Sequence, residues 1–360
     1  MKTQNLDNWD IKKGIICKNI SGDFIRTDIN KQYMPKSGDA AVFKVLEIGK
    51  HTRIQTTSGR NTFLIPEDLI MCAFGTRYAS GQIEGYVPTS YLETYDILGQ
   101  GGVVGEAKSW HANYDLVGTT TVELVGYITD KSGNVLNSIE SSGLLYPFNV
   151  TPHTKTPKVI LSVGTSMDSG KTSSAAFLAH GIKKAGKIVS FIKLTGTVYT
   201  KDKNYVKDYG AHMVADFSDF GFPSTYMCEI DELLDLYQSL LNHVQSVKPD
   251  YVIVEIADGL LERETKALLE NEVFRDQIYG AVFSAADSMS AIAGAKILAD
   301  LGYNLYAISG LVTTSPLLVN EIKNNSDHRV MFREELMSKE IIDTFEKKRN
   351  LIDNDKVVIN

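Results

Sequence analysis

The stretch VILSVGTSMDSGKTSSAAFLAHGIKKAG, Val159 to Gly186, places an apolar β-branched run, a loop of small residues and a helical pattern in immediate succession. That order is what a phosphate-binding loop requires, because the loop amides and the start of the helix must face one anion together. The strict motif reads G-x-x-x-x-G-K-[ST]. Here the position five residues before Gly170 is Thr165, and Gly164 stands one residue earlier. With the strand before it and the helix after it, the loop predicts backbone N–H groups of Asp168, Ser169, Gly170, Lys171 and Thr172 around a phosphate, with Ser173 continuing the helix. Lys171 is then placed to reach the outer phosphates and the Thr172 hydroxyl to hold Mg²⁺.

Working outward, the chain changes character near residue 150. From about Ser37 to Val150, short runs rich in Thr, Val, Tyr and Gly are broken by turn signals, the pattern of a small β-barrel or sandwich. AVFKVLEIG (41–49) and TRIQTT (52–57) are expected to pair, and a hairpin is expected to turn at Asp130 to Asn134. GQGGVVG (99–105) reads as a β-turn or bulge, since no helix follows it. A Thr/Pro linker covers 151–158. Beyond it, strands and helices alternate: 159–163 then 173–185, 188–192 then a segment near Val206 to Ala215, 231–247 then 251–257, 278–285 then 288–301, and 305–309 before a helical tail. Alternation predicts a parallel sheet covered by helices, with ligands at the carboxyl ends of the strands. The expected architecture is α/β: a β-barrel-like domain (1–150), the linker, and a Rossmann-like P-loop domain (159–360).

Composition is that of an ordinary globular protein. The 360 residues are 43% hydrophobic and 22% charged, with a formal charge of -7. This mild acidity gives no reason to expect nucleic acid as a partner. No apolar run reaches the roughly 18 to 20 residues of a membrane helix, and the first residues lack a signal-peptide core, so a cytoplasmic location is expected. Cys17, Cys72 and Cys228 lack metal-binding spacing and read as buried reduced thiols.

The displaced glycine has a precedent. GTSMDSGKT resembles the loop of the dethiobiotin synthetases, G-T-x-x-x-x-G-K-T, whose relatives include the cobyrinic acid amidating enzymes. The resemblance runs over about Val159 to Pro316. In that family the second strand ends in a lysine followed by a Ser/Thr-Gly pair that contact the transferring phosphate and the substrate, and FIKLTGT offers Lys193, Thr195 and Gly196. A helical aspartate binds Mg²⁺, matched by Asp208 in VKDYGAH, although Asp202 stands nearby and a solvated helix face explains either. The next match is VIVEIADGL, with Glu255, Asp258 and Gly259. Chemistry supports the same set: phosphoryl transfer needs a metal, a cationic clamp and positioned donors, and Thr172, Asp208 and Glu255 form an oxygen shell suited to Mg²⁺.

The resemblance implies an ATP-dependent ligase or small-molecule kinase that uses Mg²⁺ to activate a carboxylate or similar group of a small acceptor, with a homodimer as the expected assembly. It weakens at the base, where AISGLVTTSP carries Ser309, Gly310 and Thr313 instead of an Asn-Asp pair; ATP and another triphosphate both stay open. The lysine of the partition-ATPase loop would fall at Ser166 and is missing. GAHMVADFSDFGFPSTY reads either as a substrate-facing loop, with Asp216, Asp219, Ser224, Thr225 and Tyr226 as contacts, or as a connection whose aromatics lie in the core. Arg263 reads as a ligand contact or a helix's first turn. The chain is also similar to a bacterial P-loop family that includes a D-amino-acid N-acyltransferase, through Gly164, Thr165, Gly170 and Lys171. That likeness implies the loop holding a coenzyme A phosphate. A regulatory NTPase is the third class.

Overall fold

A computed structural model describes residues 3–6, 9–22, 24–149 and 157–346. The chain forms two compact units, one of Met1–Tyr146 with Thr195–Thr200 and Phe217–Cys228, the other of Pro147–Leu194, Lys201–Asp216 and Glu229–Asn360. The linker expected at 151–158 lies, through Thr156, outside the described residues. A linear division at residue 150 is therefore too simple, because two segments of the second half belong to the first unit.

The second unit is a six-stranded parallel sheet. Its strands are β1 (Lys158–Gly164), β2 (Val189–Lys193), β3 (Met213–Asp216), β4 (Tyr251–Glu255), β5 (Ile278–Ser284) and β6 (Leu305–Ser309), in the order β3-β2-β4-β1-β5-β6. All pairings are parallel, and β4 reads YVIVE with every residue buried. A strand buried on both faces has to be apolar throughout, which is why its terminal glutamate stands out. The longer helices are α1 (Lys171–Lys184), α2 (Lys201–Asp208), α3 (Ile230–Val244), α4 (Arg263–Glu270), α5 (Ser288–Asp300) and α6 (Pro316–Asn325), with single turns at Glu272–Arg275 and Arg333–Leu336. On α3, Leu233, Leu236, Tyr237, Leu240 and Val244 recur at three- and four-residue spacing and are all buried; each such side chain contributes about 1.5–3 kcal/mol through burial. The alternation expected from sequence is observed, with one correction. The segment 206–215 is not one helix: α2 stops at Asp208, the chain turns at Gly210 with φ 112°, and Met213–Asp216 adds a strand to β2.

The first unit contains a closed ring of strands. Thr121–Thr129 pairs with Ala40–Glu47, which pairs with Leu69–Phe74; that strand runs parallel to Val103–Trp110, which pairs with Tyr95–Gly99, and the last returns to Thr121–Thr129. Closure removes the unpaired edges an open sheet would expose. Inside it Phe43, Phe74 and Tyr95 meet edge to face, with centroids 5.3 to 6.0 Å apart. The expected pairing of 41–49 with 52–57 is wrong. Ala40–Glu47 needs neighbours on both sides to bury Phe43 and Val45, so Arg53–Gln55 pairs with Asn61–Phe63 instead. The turn at Asp130 to Asn134 does form, closed by Thr129 and Val135, and Gly99–Gly105 is a hairpin turn with a bulge at Val103. Cys17 and Cys72 are buried, whereas Cys228 is half-buried.

The two added segments are hydrogen-bonded parts of this unit. Gln55 accepts from the Thr200 amide at 3.1 Å and donates to its hydroxyl at 2.8 Å. Gly196 N donates to Thr225 Oγ1 at 2.9 Å, and Thr225 N to Gly196 O at 3.0 Å.

Nearby in this unit, burial and then Arg77 push the Lys50 ammonium down to about 7. An unfolded lysine keeps its proton to about pH 10.4. Between those values the unfolded chain binds more protons, so stability should climb as pH rises from about 7 to about 10 and level off below about 7, where both states hold the proton. Denaturant midpoints across that range check this, and Lys50→Met should flatten the slope.

Candidate phosphate-binding site

The loop between β1 and α1 is folded by its glycines. A Cβ at Gly164 would lie 2.3 Å from Ser169 Oγ and 2.7 Å from Ser284 O, so the displaced glycine is where the loop doubles back on the end of β1. Gly170 has φ 102° and would bring a Cβ to 2.8 Å from Gly310 Cα. Leu311 N donates to Ser169 O at 3.1 Å. The stretch after β6, expected to meet a base, thus backs the loop through Gly310 and Leu311, while Ser309 and Thr313 hydrogen-bond to Met331 O and Gly310 O.

The loop ends in an open helix terminus. The N-cap of α1 is Gly170, and no side chain caps it; α4, α5 and α6 are capped by Glu262, Asp287 and Ser315. The first-turn N–H groups of a helix have no intrahelical acceptor, and together with the helix dipole they favour an anion. Thr165 Oγ1 and Ser169 Oγ are also buried without a hydrogen-bond partner among the described residues. Asp168, at φ 60°, is exposed at the tip.

Lys171 is 7% exposed. Its Nζ donates to Ser166 O and to Asp258 O, both at 2.7 Å, and burial pulls it below the ordinary lysine value despite the nearby acids. Two backbone carbonyls hold the charge only as neutral dipoles, which an anion would replace favourably. The role of Asp258 here is its carbonyl, offered from a residue at φ 57°.

At the end of β4, Glu255 is 1% exposed. Its Oε1 accepts from Thr172 Oγ1 at 3.0 Å and lies 3.5 Å from Lys193 Nζ. Its Oε2 is buried with no hydrogen-bond partner among the described residues. Desolvation raises its pKa above the usual carboxylate range, against the pull of Lys193. Lys193, at the end of β2, is also paired with Asp202, and the two acids hold it charged although its side chain is largely withdrawn from water.

The other acid expected at the metal, Asp208, is not in this cluster. Asp202 and Asp208 both lie on α2, and six residues of helix separate them by about 9 Å along the axis. Asp202 is in the first turn, facing Lys193, whereas Asp208 ends the helix exposed. Among the described residues no group of three or more His, Cys, Asp or Glu could hold a metal.

The substrate candidates divide. Asp216 is buried and pairs with Lys203 at 3.0 Å, an ion pair for which the sequence carries no signal. Asp219 pairs with Lys18, Ser224 and Thr225 are each 2% exposed, and the Tyr226 hydroxyl meets that of Tyr86 at 2.8 Å. Phe217 and Phe222 are core residues at 1% exposure. Thr195, Gly196, Asp219, Ser224, Thr225 and Tyr226 belong to the first unit; within 210–226, Phe217 and Phe222 match the alternative of a connection with core aromatics, while Phe220 is half-buried. Arg263 opens α4 and pairs with Glu229 and Glu264.

No family profile and no curated protein matches the chain. Among solved structures it is similar to the signal recognition particle receptor FtsY from Elizabethkingia anophelis in complex with GDP, at 18% identity over 59% of this chain and 74% of that one, with a TM-score of 0.37. The signal recognition particle 54 kDa protein from Aeropyrum pernix K1, in complex with GDP, aligns at 18% identity over 61% of this chain and 54% of its own, TM-score 0.35. The hydrogenase maturation factor HypB from Archaeoglobus fulgidus aligns at 12% identity over 57% and 91%, TM-score 0.32. Such low scores decide neither nucleotide nor reaction. The P-loop-type arrangement rests on this chain's own parallel sheet, loop and helix.

Proposed function

We propose that the second unit binds a nucleoside triphosphate with Mg²⁺ and transfers its terminal phosphoryl group to a carboxylate or similar oxyanion of a small acceptor. One observation carries this reading: an uncapped helix start, a buried lysine resting on carbonyls and a strand-end carboxylate with an unsatisfied oxygen converge on one loop.

The residues divide the task. The amides of 168–172 cradle the phosphates. Lys171 leaves Ser166 O and Asp258 O for phosphate oxygens, a shift that exchanges neutral acceptors for charged ones. Thr172 Oγ1 and Glu255 fit Mg²⁺, because both are hard oxygen donors, Oε2 lacks a partner, and this ion takes only one or two carboxylates and keeps several waters. When bound, the metal supplies charge neutralisation between the phosphates. Lys193 holds Glu255 in place and keeps a fixed positive charge beside it, while Asp202 fixes the lysine. In this reading Asp202, not Asp208, is the acid that matters on α2.

Isothermal titration calorimetry of the full chain with MgATP, MgGTP and acetyl-CoA tests the reading. Micromolar triphosphate binding that weakens at least tenfold without Mg²⁺ is the expected result. Metal-independent binding of acetyl-CoA with none of either triphosphate would replace it by acyl transfer. Turnover without any added small acceptor, accompanied by a change of oligomeric state, would make the protein a regulatory NTPase.

A further inference from the structure

In the first unit, basic side chains converge on one neutral amide. Gln82 Oε1 accepts from Arg77 Nη2 at 2.6 Å and also from Lys50 Nζ. Two hydrogen bonds to one oxygen keep the two cationic nitrogens within about 6 Å of each other. His51 follows Lys50 in the chain; it is 4% exposed, and its Nδ1 is buried with no hydrogen-bond partner among the described residues. The charge acting on Lys50 is that of Arg77, and the charges acting on His51 are those of Arg77 and Lys50; no carboxylate is among them. The acids of adjoining segments are engaged elsewhere. Asp96 accepts from Thr119 Oγ1 and from the Ala107 amide, Asp115 from Trp110 Nε1 at 3.1 Å, and Glu84 from Tyr86 and Ser109.

Like charges in a partly dehydrated setting disfavour one another. Burial, and then the neighbouring cations, keep His51 neutral and bring Lys50 to about 7. The frame that imposes this is fixed by backbone bonds. Arg77 and Gly85 exchange hydrogen bonds of 2.8 and 2.9 Å, the Lys50 amide donates to Gly118 O at 3.0 Å, and Gln82 O accepts from the His111 amide at 2.8 Å. Arg77 Nη1 also donates to Leu98 O, and Lys50 Nζ lies 5.0 Å from the Tyr114 ring centroid. A carbonyl or a ring orients a cation without cancelling its charge. Lys50, Arg77, Gln82 and Tyr114 are each only half-buried, so the cluster keeps surface open to solvent.

We propose that Lys50 and Arg77 together bind a small dianionic oxyanion of the phosphate or sulfate type. Arg77 supplies planar, directed donors and Lys50 a point charge. Two cations match a dianion, whereas a monoanion leaves one of them uncompensated. On binding, Lys50 exchanges the neutral Gln82 oxygen for a charged acceptor, and the fixed backbone lowers the ordering cost. The assignment stands independently of the phosphate loop.

The test reads Lys50 itself in the full chain. A trace of acetic anhydride labels each amine in proportion to its neutral fraction, and peptide mass spectrometry gives the rate lysine by lysine, so any ion held at Lys171 is read separately. Sulfate is the probe because its charge does not change near neutral pH, with sodium acetate and sodium chloride at equal ionic strength as controls. At about pH 8 the free Lys50 amine is largely neutral, and a bound dianion restores its proton. Sulfate at about 20 mM should therefore slow Lys50 labelling about fivefold or more, while exposed Lys131 is unaffected. Arg77→Gln should abolish most of that protection and Arg77→Lys should retain part of it, with circular dichroism confirming that both variants fold. Equal protection by acetate would overturn the dianion assignment. Lys50 labelling that sulfate leaves unchanged in the parent chain would overturn the site, whatever the variants show.

Discussion

Lys171→Ala is expected to lower triphosphate affinity about 100-fold or more, since it removes charge-assisted hydrogen bonds worth about 1.5–3 kcal/mol each. The fold should survive. In the free protein Lys171 is 7% exposed and, among the described residues, its ammonium donates to the carbonyls of Ser166 and Asp258, so its removal relieves a desolvated charge while leaving two acceptors unmet. Those effects oppose each other, and the unfolding midpoint should move little. Calorimetry with MgATP and MgGTP, alongside circular dichroism, checks both halves. Undiminished affinity would show that the loop is not a phosphate site.

Lys193→Met should act on stability instead. Lys193 is the cation shared by Glu255 and Asp202, and its loss leaves a fully buried carboxylate beside a half-buried one. Breaking a buried pair from one side costs about 3–5 kcal/mol, which in a unit of this size corresponds to roughly 10 °C in midpoint. The pH dependence gives the sign. Without the lysine, Glu255 is raised further above its unfolded value, so the folded state takes up a proton that the unfolded state releases. The stability deficit should therefore be largest above neutral pH and shrink as pH falls toward the ordinary carboxylate value of about 4.3. Lys193→Met combined with Glu255→Gln should recover part of the loss. A single variant as stable as the parent at pH 8 would contradict the ion-pair account.

How much of this was legible in the sequence depended on whether the information was local. β1, the loop and α1 could be read because each signal lies within a few residues: Val159 to Val163 is apolar and β-branched, Gly164 and Gly170 permit the close turns, and Ser174, Ala175, Leu178 and Ile182 carry the helical period. Glu255 was legible too, because a carboxylate ending a run of buried apolar residues violates the pattern around it. Met213–Asp216 was missed, since four residues between two helical stretches carry too little periodicity to mark an edge strand. The pairing of Arg53–Gln55 with Asn61–Phe63 was not legible, because adjacency in sequence does not fix adjacency in a sheet.

Local sequence therefore suffices for the strand–loop–helix at 158–184, the parallel α/β alternation around it and the β-rich character of the first half. Helical and strand periods and turn residues write these in short windows. Long-range packing sets the rest: Asp202 and not Asp208 faces Lys193, Gly310 and Leu311 back the phosphate loop, five strands of the first unit close on themselves, and Phe217 and Phe222 serve a core. Each of these depends on which distant residues satisfy a buried charge, an unpaired edge or an apolar face, and such matches are settled by packing across the whole unit.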